Sequence, residues 1–381
     1  MSKSIETLCV HGGDHQFRDG FQSLSTPIYQ TAAFGHPDLG HSPDRFYYTR
    51  LTNPTRQQLE ETVSALEGAA KTIAFTSGMA AISCVFELFT PGDHIICSAD
   101  LYGGTVLLMD LVGKKNGLDF SFVDTADPAA LEAALRPDTC AIYIETPSNP
   151  MMNVTDIRRC AALAKSVGAK LIVDNTFLSP YLQNPIALGA DVVVHSGTKY
   201  LGGHNDTLSG FLCLKDTALG EKLHKIAYAQ GATLSPFDSW LMLRGIKTLP
   251  IRMERQQQSA LAIARWLQSQ EKVTAVYYVG LPDHPGYELN ASQSRGAGGM
   301  LSFAVDSHET ALQVLARVKV ITFAESLGGP ESLITLPCTQ THADVPEADR
   351  LRLGITDSLL RMSVGLENAD DLIEDLRQAM E

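Results

Sequence analysis

Lys199 is the residue whose setting first suggests chemistry. It ends the run His195-Ser196-Gly197-Thr198-Lys199, directly after Val192, Val193 and Val194. Three β-branched residues in a row read as a short buried strand. An amine and two hydroxyls at the end of such a strand lie where open α/β sheets bind ligands. A lysine there can condense with an aldehyde, and Ser196 and Thr198 can hydrogen-bond a phosphate. Taken alone, a solvated surface lysine after a strand explains the pattern more simply. A second apolar run, Leu171-Ile172-Val173, ends in Asp174. An acid there more often opens a turn or caps a helix. It can also keep a pyridinium nitrogen protonated, which makes that ring an electron sink. Together, and in this order, the two runs point to an aldehyde that carries a phosphate on a pyridine ring: pyridoxal 5'-phosphate (PLP).

Other segments offer groups for the same ligand. Tyr48 and Arg50 are a phenol and a guanidinium suited to grip a phosphate; a surface arginine beside a packed tyrosine is the simpler account. Thr76-Ser77-Gly78-Met79 leads into a helical pattern at 80–89. Free N–H groups at a helix start bind phosphate, and a glycine lets the backbone come close, although Ser77 equally suits an ordinary cap. Tyr102, in a loop at 99–104, could stack on a ring or pack on the core. Asn149 lies in the polar turn Glu145–Pro150 and points at the same rim if the sheet is parallel. His195, beside these groups, suits packing or support better than catalysis.

These residues need a scaffold. From 72 to 206 the chain alternates strand-like pieces (72–75, 94–97, 120–123, 141–144, 171–173, 192–194) with helical ones (80–89, 131–135, 157–167), and a further strand fits 210–214. That alternation is a doubly wound α/β pattern with mostly parallel strands. Residues 1–50 show no sustained period and read as an extended arm. Residues 51–247 form the α/β domain. A long amphipathic helix from Pro250 to about Gln270 leads into a smaller α+β domain over 248–381, with strands at 298–305 and 360–364 and helices at 310–318 and 369–380.

The formal net charge of −13 argues against a nucleic-acid surface. No apolar run approaches the ~20 residues of a membrane span, and the start, MSKSIETLCVHGG, has no signal-peptide core. Seven scattered cysteines without a CxxC pair read as reduced thiols of a cytoplasmic protein. Neither they nor the eleven histidines have metal-ligand spacing.

The motifs YTRLTNPT (48–55), TSGMAA (76–81), DLYGGT (100–105), ETPSNP (145–150), VDNTFLSP (173–180), HSGTKYLGGHND (195–206), ESLGGPESLI (325–334), TQTHADVP (339–346) and LLRMSVGLE (359–367) follow one another along nearly the whole chain. In this order they resemble the Cys/Met-metabolism group of PLP enzymes: cystathionine γ-synthase, cystathionine γ-lyase, cystathionine β-lyase and methionine γ-lyase. The resemblance implies the aspartate-aminotransferase-like architecture, fold type I. It implies that Lys199 bonds the cofactor aldehyde and moves protons, that Asp174 pairs with the ring nitrogen, and that Tyr102 stacks and assists proton transfer. Ser77, Gly78, Met79, Ser196 and Thr198 would hold the phosphate. Tyr48 and Arg50 would reach the phosphate of a neighbouring copy, so the site implies a homo-oligomer with shared active sites, usually a tetramer. Arg361 would clamp the α-carboxylate of an amino-acid substrate, with Asn149, Ser326 and Glu325 nearby.

Departures from the family pattern bear on the substrate. Methionine γ-lyase has a cysteine two residues after the ring-stacking tyrosine, where this chain has Gly104. Two arginines common in relatives that take anionic distal groups are Leu51 and Leu107 here. Glu325 matches the γ-enzymes. The expected activity is therefore γ-elimination or γ-replacement on a homoserine-derived or sulfur amino acid with a neutral or cationic distal group, such as O-acetylhomoserine, cystathionine or a canavanine-like analogue. A cystathionine β-lyase is the alternative. A non-catalytic protein binding a phosphate ligand is the reading from another class.

Overall fold

The structure, a computed structural model, describes residues 3–12, 21–36, 38–39, 46–343 and 345–381. Parts of the arm expected over 1–50, and Asp344 of the TQTHADVP motif, lie outside the described residues.

Seven strands form the larger sheet: β1 (Lys71–Phe75), β2 (His94–Ser98), β3 (Asp119–Val123), β4 (Thr139–Glu145), β5 (Lys170–Asp174), β6 (Val192–Ser196) and β7 (Gly210–Leu214). Their order is β1-β7-β6-β5-β4-β2-β3. The five strands from β6 to β3 pair in parallel, and β7 runs antiparallel to both β1 and β6. The sheet is thus mostly parallel. Along β6, Val192 and Val194 enter one hydrophobic cluster and Val193 the other. Burial on both faces explains why the strand reads as an unbroken apolar run.

All seven strands stand where the sequence pattern predicts. Helix ends differ for local reasons. The helix expected at 131–135 is Pro128–Ala133, because the Asp127 side chain accepts the Ala129 N–H and Pro128 occupies the first turn. The loop at 99–104 gives way to a helix already at Gly103. Within the arm, Ile5–His11 is helical and buries Cys9, contrary to an extended segment; seven residues are too few to display a period.

The second sheet comprises β8 (Val273–Tyr277), β9 (Met300–Val305), β10 (Thr322–Phe323), β11 (Leu333–Thr335) and β12 (Leu359–Ser363), ordered β10-β11-β12-β9-β8. Only β10 and β11 pair in parallel. A separate hydrophobic cluster unites this sheet with the helices Leu249–Leu267, His308–Arg317 and Ala369–Met380. Strands β8, β10 and β11 escape the sequence pattern. The first is half-exposed, and the other two hold two and three residues.

The helix Leu249–Leu267 reaches back to the larger sheet through Arg252. This buried guanidinium donates to the carbonyl oxygens of Tyr200 (2.8 Å) and Gly245 (2.9 Å) and to Thr248 Oγ1 (3.1 Å). Tyr200 directly follows Lys199, so Arg252 fixes the main chain that presents the lysine. Replacing it with Met leaves the buried Tyr200 carbonyl without a donor, whereas the Gly245 carbonyl keeps the Thr248 N–H and hydroxyl, at a cost of about 2 kcal/mol. Arg252→Met is expected to lower the thermal midpoint by several degrees, as read by scanning calorimetry; an unchanged midpoint would show that the contact is dispensable.

Candidate active site

The carboxyl ends of β4, β5 and β6 bring Glu145, Asp174 and Ser196 to one edge of the sheet, as parallel pairing requires. A cavity of about 420 Å³ opens there. Ser77, Gly78, Met79, Tyr102, Asn149, Asp174, Ser196, Thr198, Lys199, Glu325, Ser326 and Arg361 line it. Every candidate from the sequence is therefore present, except Tyr48 and Arg50.

Lys199 sits in a short turn after β6. Its Nζ donates to Ser326 Oγ at 2.8 Å. Loss of water around the amine, reinforced by the nearby Arg361 charge, brings its pKa down to about 8. A neutral, nucleophilic amine is thus available near physiological pH. Ser326 holds a left-handed backbone, φ +92°, which is rare for a residue with a side chain.

Asp174 is constrained on one side only. Its Oδ1 accepts the Thr176 N–H (3.0 Å) and the Thr176 hydroxyl (2.6 Å). The same hydroxyl oxygen accepts the Ser196 N–H at 2.9 Å, which locks β5 to β6 at the floor of the cavity. Burial raises the Asp174 pKa, while the Thr176 bonds and the His195 charge oppose the rise. His195 points away from the cavity. It is fully buried and hydrogen-bonds Glu67 Oε2 through Nε2 at 3.0 Å, a supporting position.

At the opposite end of the cavity, the helix Gly78–Phe86 starts behind Ser77, whose Oγ accepts the Ala80 N–H at 3.1 Å. A Cβ at Gly78 would lie 2.9 Å from the Ser196 Cβ, so only glycine lets this turn approach β6. Thr198 Oγ1 bonds the Ser209 main chain in both directions, with the Ser209 carbonyl at 3.2 Å and its N–H at 3.0 Å.

PLP fits this set. Lys199 matches its aldehyde, and the Asp174 carboxylate matches its ring nitrogen. The helix start at Gly78 and Met79, with the Ser196 hydroxyl, matches its phosphate. Tyr102, 43% exposed at the cavity wall, matches its ring face. Bound there, PLP supplies a sink for the electrons that remain at Cα of an amino acid after proton loss.

Arg361, on β12, faces the cavity from the second sheet. Its Nη1 donates to Asn149 Oδ1 at 2.9 Å and its Nη2 to the Ser326 carbonyl at 3.3 Å, while its buried Nε has no partner among the described residues. Burial lowers its pKa to about 10, against the pull of Glu325 and Glu145. It stays charged at neutral pH and suits a carboxylate. His342 holds the Asn149 carbonyl through Nε2 at 3.1 Å. Burial, and then Arg361, lower the His342 pKa to about 4, so it is neutral there.

Tyr48 and Arg50 lie elsewhere in this chain. Arg50 donates to the Tyr228 carbonyl at 3.1 Å and covers the Tyr228 ring at 4.5 Å. Sequence reasoning did not weigh Glu145 or His342. Glu145 is an acid at a strand end next to Asp174 in register, the same signal that singles out Asp174. His342 belongs to the TQTHADVP motif, but nothing local marks its contact with the 145–150 turn.

The lowered Lys199 pKa has a testable sign. An amine that titrates near 8 rather than at the ordinary lysine value reacts faster as pH rises to that point and levels off above it. Capture of PLP by the apoprotein, followed by absorbance, should rise about tenfold per pH unit well below pH 8 and plateau beyond it. A rate that still climbs through pH 10 would refute the shift. Gly104 offers a second test. A Cβ there would lie 2.5 Å from Tyr102 Cε1, so Gly104→Ala should displace the Tyr102 ring, change the circular dichroism of bound PLP, and lower kcat more than it raises KM.

The chain matches the family described as Cys/Met metabolism PLP-dependent enzyme over residues 6–381. It is 48% identical over 377 residues to a cystathionine γ-lyase of Bacillus subtilis, covering 99% of each chain. It is 45% identical over 378 residues to a cystathionine β-lyase of Lactococcus lactis subsp. cremoris, again covering 99% of each. A solved cystathionine γ-synthase of Xanthomonas oryzae pv. oryzae, in complex with aminoacrylate and cysteine, superposes with a TM-score of 0.96 at 40% identity, over 100% of this chain and 98% of that one. This chain therefore belongs to the Cys/Met-metabolism family of PLP-dependent enzymes, the transsulfuration lyases and synthases of fold type I.

Proposed function

We propose that the enzyme carries out γ-elimination or γ-replacement on a homoserine-derived or sulfur amino acid whose distal group is neutral or cationic. One observation carries this reading. Among the described residues of one chain, the basic residues lining the cavity are Lys199 and Arg361. The larger hollow of about 730 Å³ that shares Thr198, Leu208, Glu325 and Ser326 with it is bordered by Asp206, Asp238 and Glu325, and by no lysine, arginine or histidine among the described residues. A distal carboxylate would find no partner there among the described residues, whereas an acetyl or ammonium group would meet neutral or acidic walls. Leu107, where related enzymes carry arginine, is 43% exposed.

The chain's own groups divide the work. Arg361, steadied by Asn149 and the Ser326 carbonyl, binds the substrate α-carboxylate. Lys199 in its neutral form takes the Cα proton and returns protons later in the reaction, and Ser326 orients its Nζ. Loss of a Cβ proton then lets the γ-substituent leave with its bonding electrons. A thiol adds at Cγ in replacement; elimination ends in 2-oxobutanoate and ammonia. Asp174 would hold the cofactor ring nitrogen in its protonated form.

Tyr48 and Arg50, which lie outside the cavity of their own chain, are assigned to the phosphate of a neighbouring copy, so the working form is a homo-oligomer, a tetramer. The seven unpaired thiols support a reducing, cytoplasmic setting. No helix among the described residues is long and apolar enough to cross a membrane. A β-lyase remains the second reading, favoured by the 45% identity to one. Family membership sets aside a non-catalytic phosphate-binding protein.

The test is a product assay on cystathionine, O-acetylhomoserine, O-succinylhomoserine, methionine and canavanine. The expected products are 2-oxobutanoate or the thiol-replaced amino acid, with O-succinylhomoserine below the best substrate. Pyruvate as the main product from cystathionine would establish the β-lyase instead. Leu107→Arg should raise kcat/KM for O-succinylhomoserine relative to O-acetylhomoserine by about tenfold, the worth of ~1.4 kcal/mol; an unchanged ratio would sink the charge argument.

A further inference from the structure

We propose that Glu145 is a positioning residue that holds Tyr102 at the cavity through the Tyr102 main-chain N–H, and that it does so as an uncharged carboxyl.

The Tyr102 ring has little to fix it directly. It is 43% exposed, and no described residue hydrogen-bonds its hydroxyl. Its place is set by the loop that follows β2. Two acids tie that loop to the turn that follows β4. Glu145 Oε2 accepts the Tyr102 N–H at 3.1 Å. Asp100 accepts from Ser148 Oγ and from Asn153 Nδ2, the latter at 2.8 Å. Gly104 backs the ring closely enough to exclude a Cβ. The Glu145 bond takes the Tyr102 N–H, while the Tyr102 carbonyl accepts the Thr105 and Val106 N–H groups of the helix that follows.

The protonation state follows from what faces the carboxyl. The register of β4 and β5 sets Glu145 beside Asp174. Asp100 approaches from the loop after β2, and Arg361 from β12. Two acids thus oppose one guanidinium, which already donates to Asn149 and Ser326. Asp174 has two Thr176 donors and the His195 charge to favour its anion. Glu145 has one N–H. Two neighbouring carboxylates in a dry site do not both ionise readily, so Asp174 loses its proton first and Glu145 keeps its own. Burial, with the Asp174 charge next, accordingly moves Glu145 well above the ordinary carboxylate range. A neutral Glu145 lets Asp174 face a pyridinium without a second anion alongside.

This inference rests on Tyr102 bordering bound PLP. The test compares holoenzyme variants Glu145→Gln, Glu145→Leu, Tyr102→Ala and the Glu145→Leu/Tyr102→Ala double variant. The readouts are circular dichroism in the cofactor band, the pH titration of cofactor absorbance, kcat and KM. Gln keeps an acceptor and no charge, so E145Q should retain the cofactor dichroism, a titration midpoint within about 0.3 pH unit and kcat within roughly threefold of the parent. E145L cannot accept the N–H; it should alter the dichroism and lower kcat about tenfold or more, with a smaller change in KM. In the Tyr102→Ala background the same change should cost no more than about twofold, because the group being positioned is gone. If E145L does not fold, Glu145→Ala takes its place with the same readouts. An E145Q enzyme as impaired as E145L would show that the charge is needed and overturn the neutral carboxyl. An E145L enzyme with parental dichroism and kcat would overturn the positioning role. If Tyr102→Ala leaves the dichroism unchanged, Tyr102 does not border the cofactor and the underlying reading falls too.

Discussion

Partial removal of water from a lysine amine beside a guanidinium is the constraint on which the rest of the site depends. Lys199 and Arg361 come from different sheets, one after β6 and one on β12. Desolvation, with their mutual repulsion added, brings the amine pKa down to about 8, so that a substantial neutral fraction is present near physiological pH. That arrangement needs both main chains held firmly. Thr176 joins β5 to β6 at the cavity floor, Arg252 grips the chain just beyond the lysine, and Ser326 contacts both cations from a backbone conformation that few side chains tolerate.

Acids balance these cations in a graded way. Asp174, Glu145, Asp100 and Glu325 surround the cavity at different depths, each with a different supply of donors. Burial raises Asp174, Glu145 and Asp100 alike, and the N–H and O–H groups offered to each oppose that rise to different extents. The deep end is built from the strand ends that carry Glu145, Asp174 and Ser196. Glu325 is shared by the cavity and the acidic hollow beside it, the space assigned above to the distal group of the substrate.

Much of this was legible in the sequence for a physical reason. The strands of the larger sheet are buried on both faces, so they appear as β-branched runs, and the residues that end them stand out. Lys199 and Asp174 were found in that way. Glu145 ends β4 just as Asp174 ends β5, but its significance depends on cross-strand register, which no local pattern displays. Strands β8, β10 and β11 are half-exposed or very short and lack an apolar signature. The pairing of Arg50 with Tyr228, 178 residues apart, joins an exposed turn to a helix end, and nothing local in either segment announces it.

The grip of Arg252 on the Tyr200 carbonyl joins the two hydrophobic cores at the point of greatest functional consequence. The helix that carries it packs with the second sheet, while the carbonyl it holds belongs to the first. Anything that draws this helix away from the larger sheet would also release the main chain just beyond Lys199.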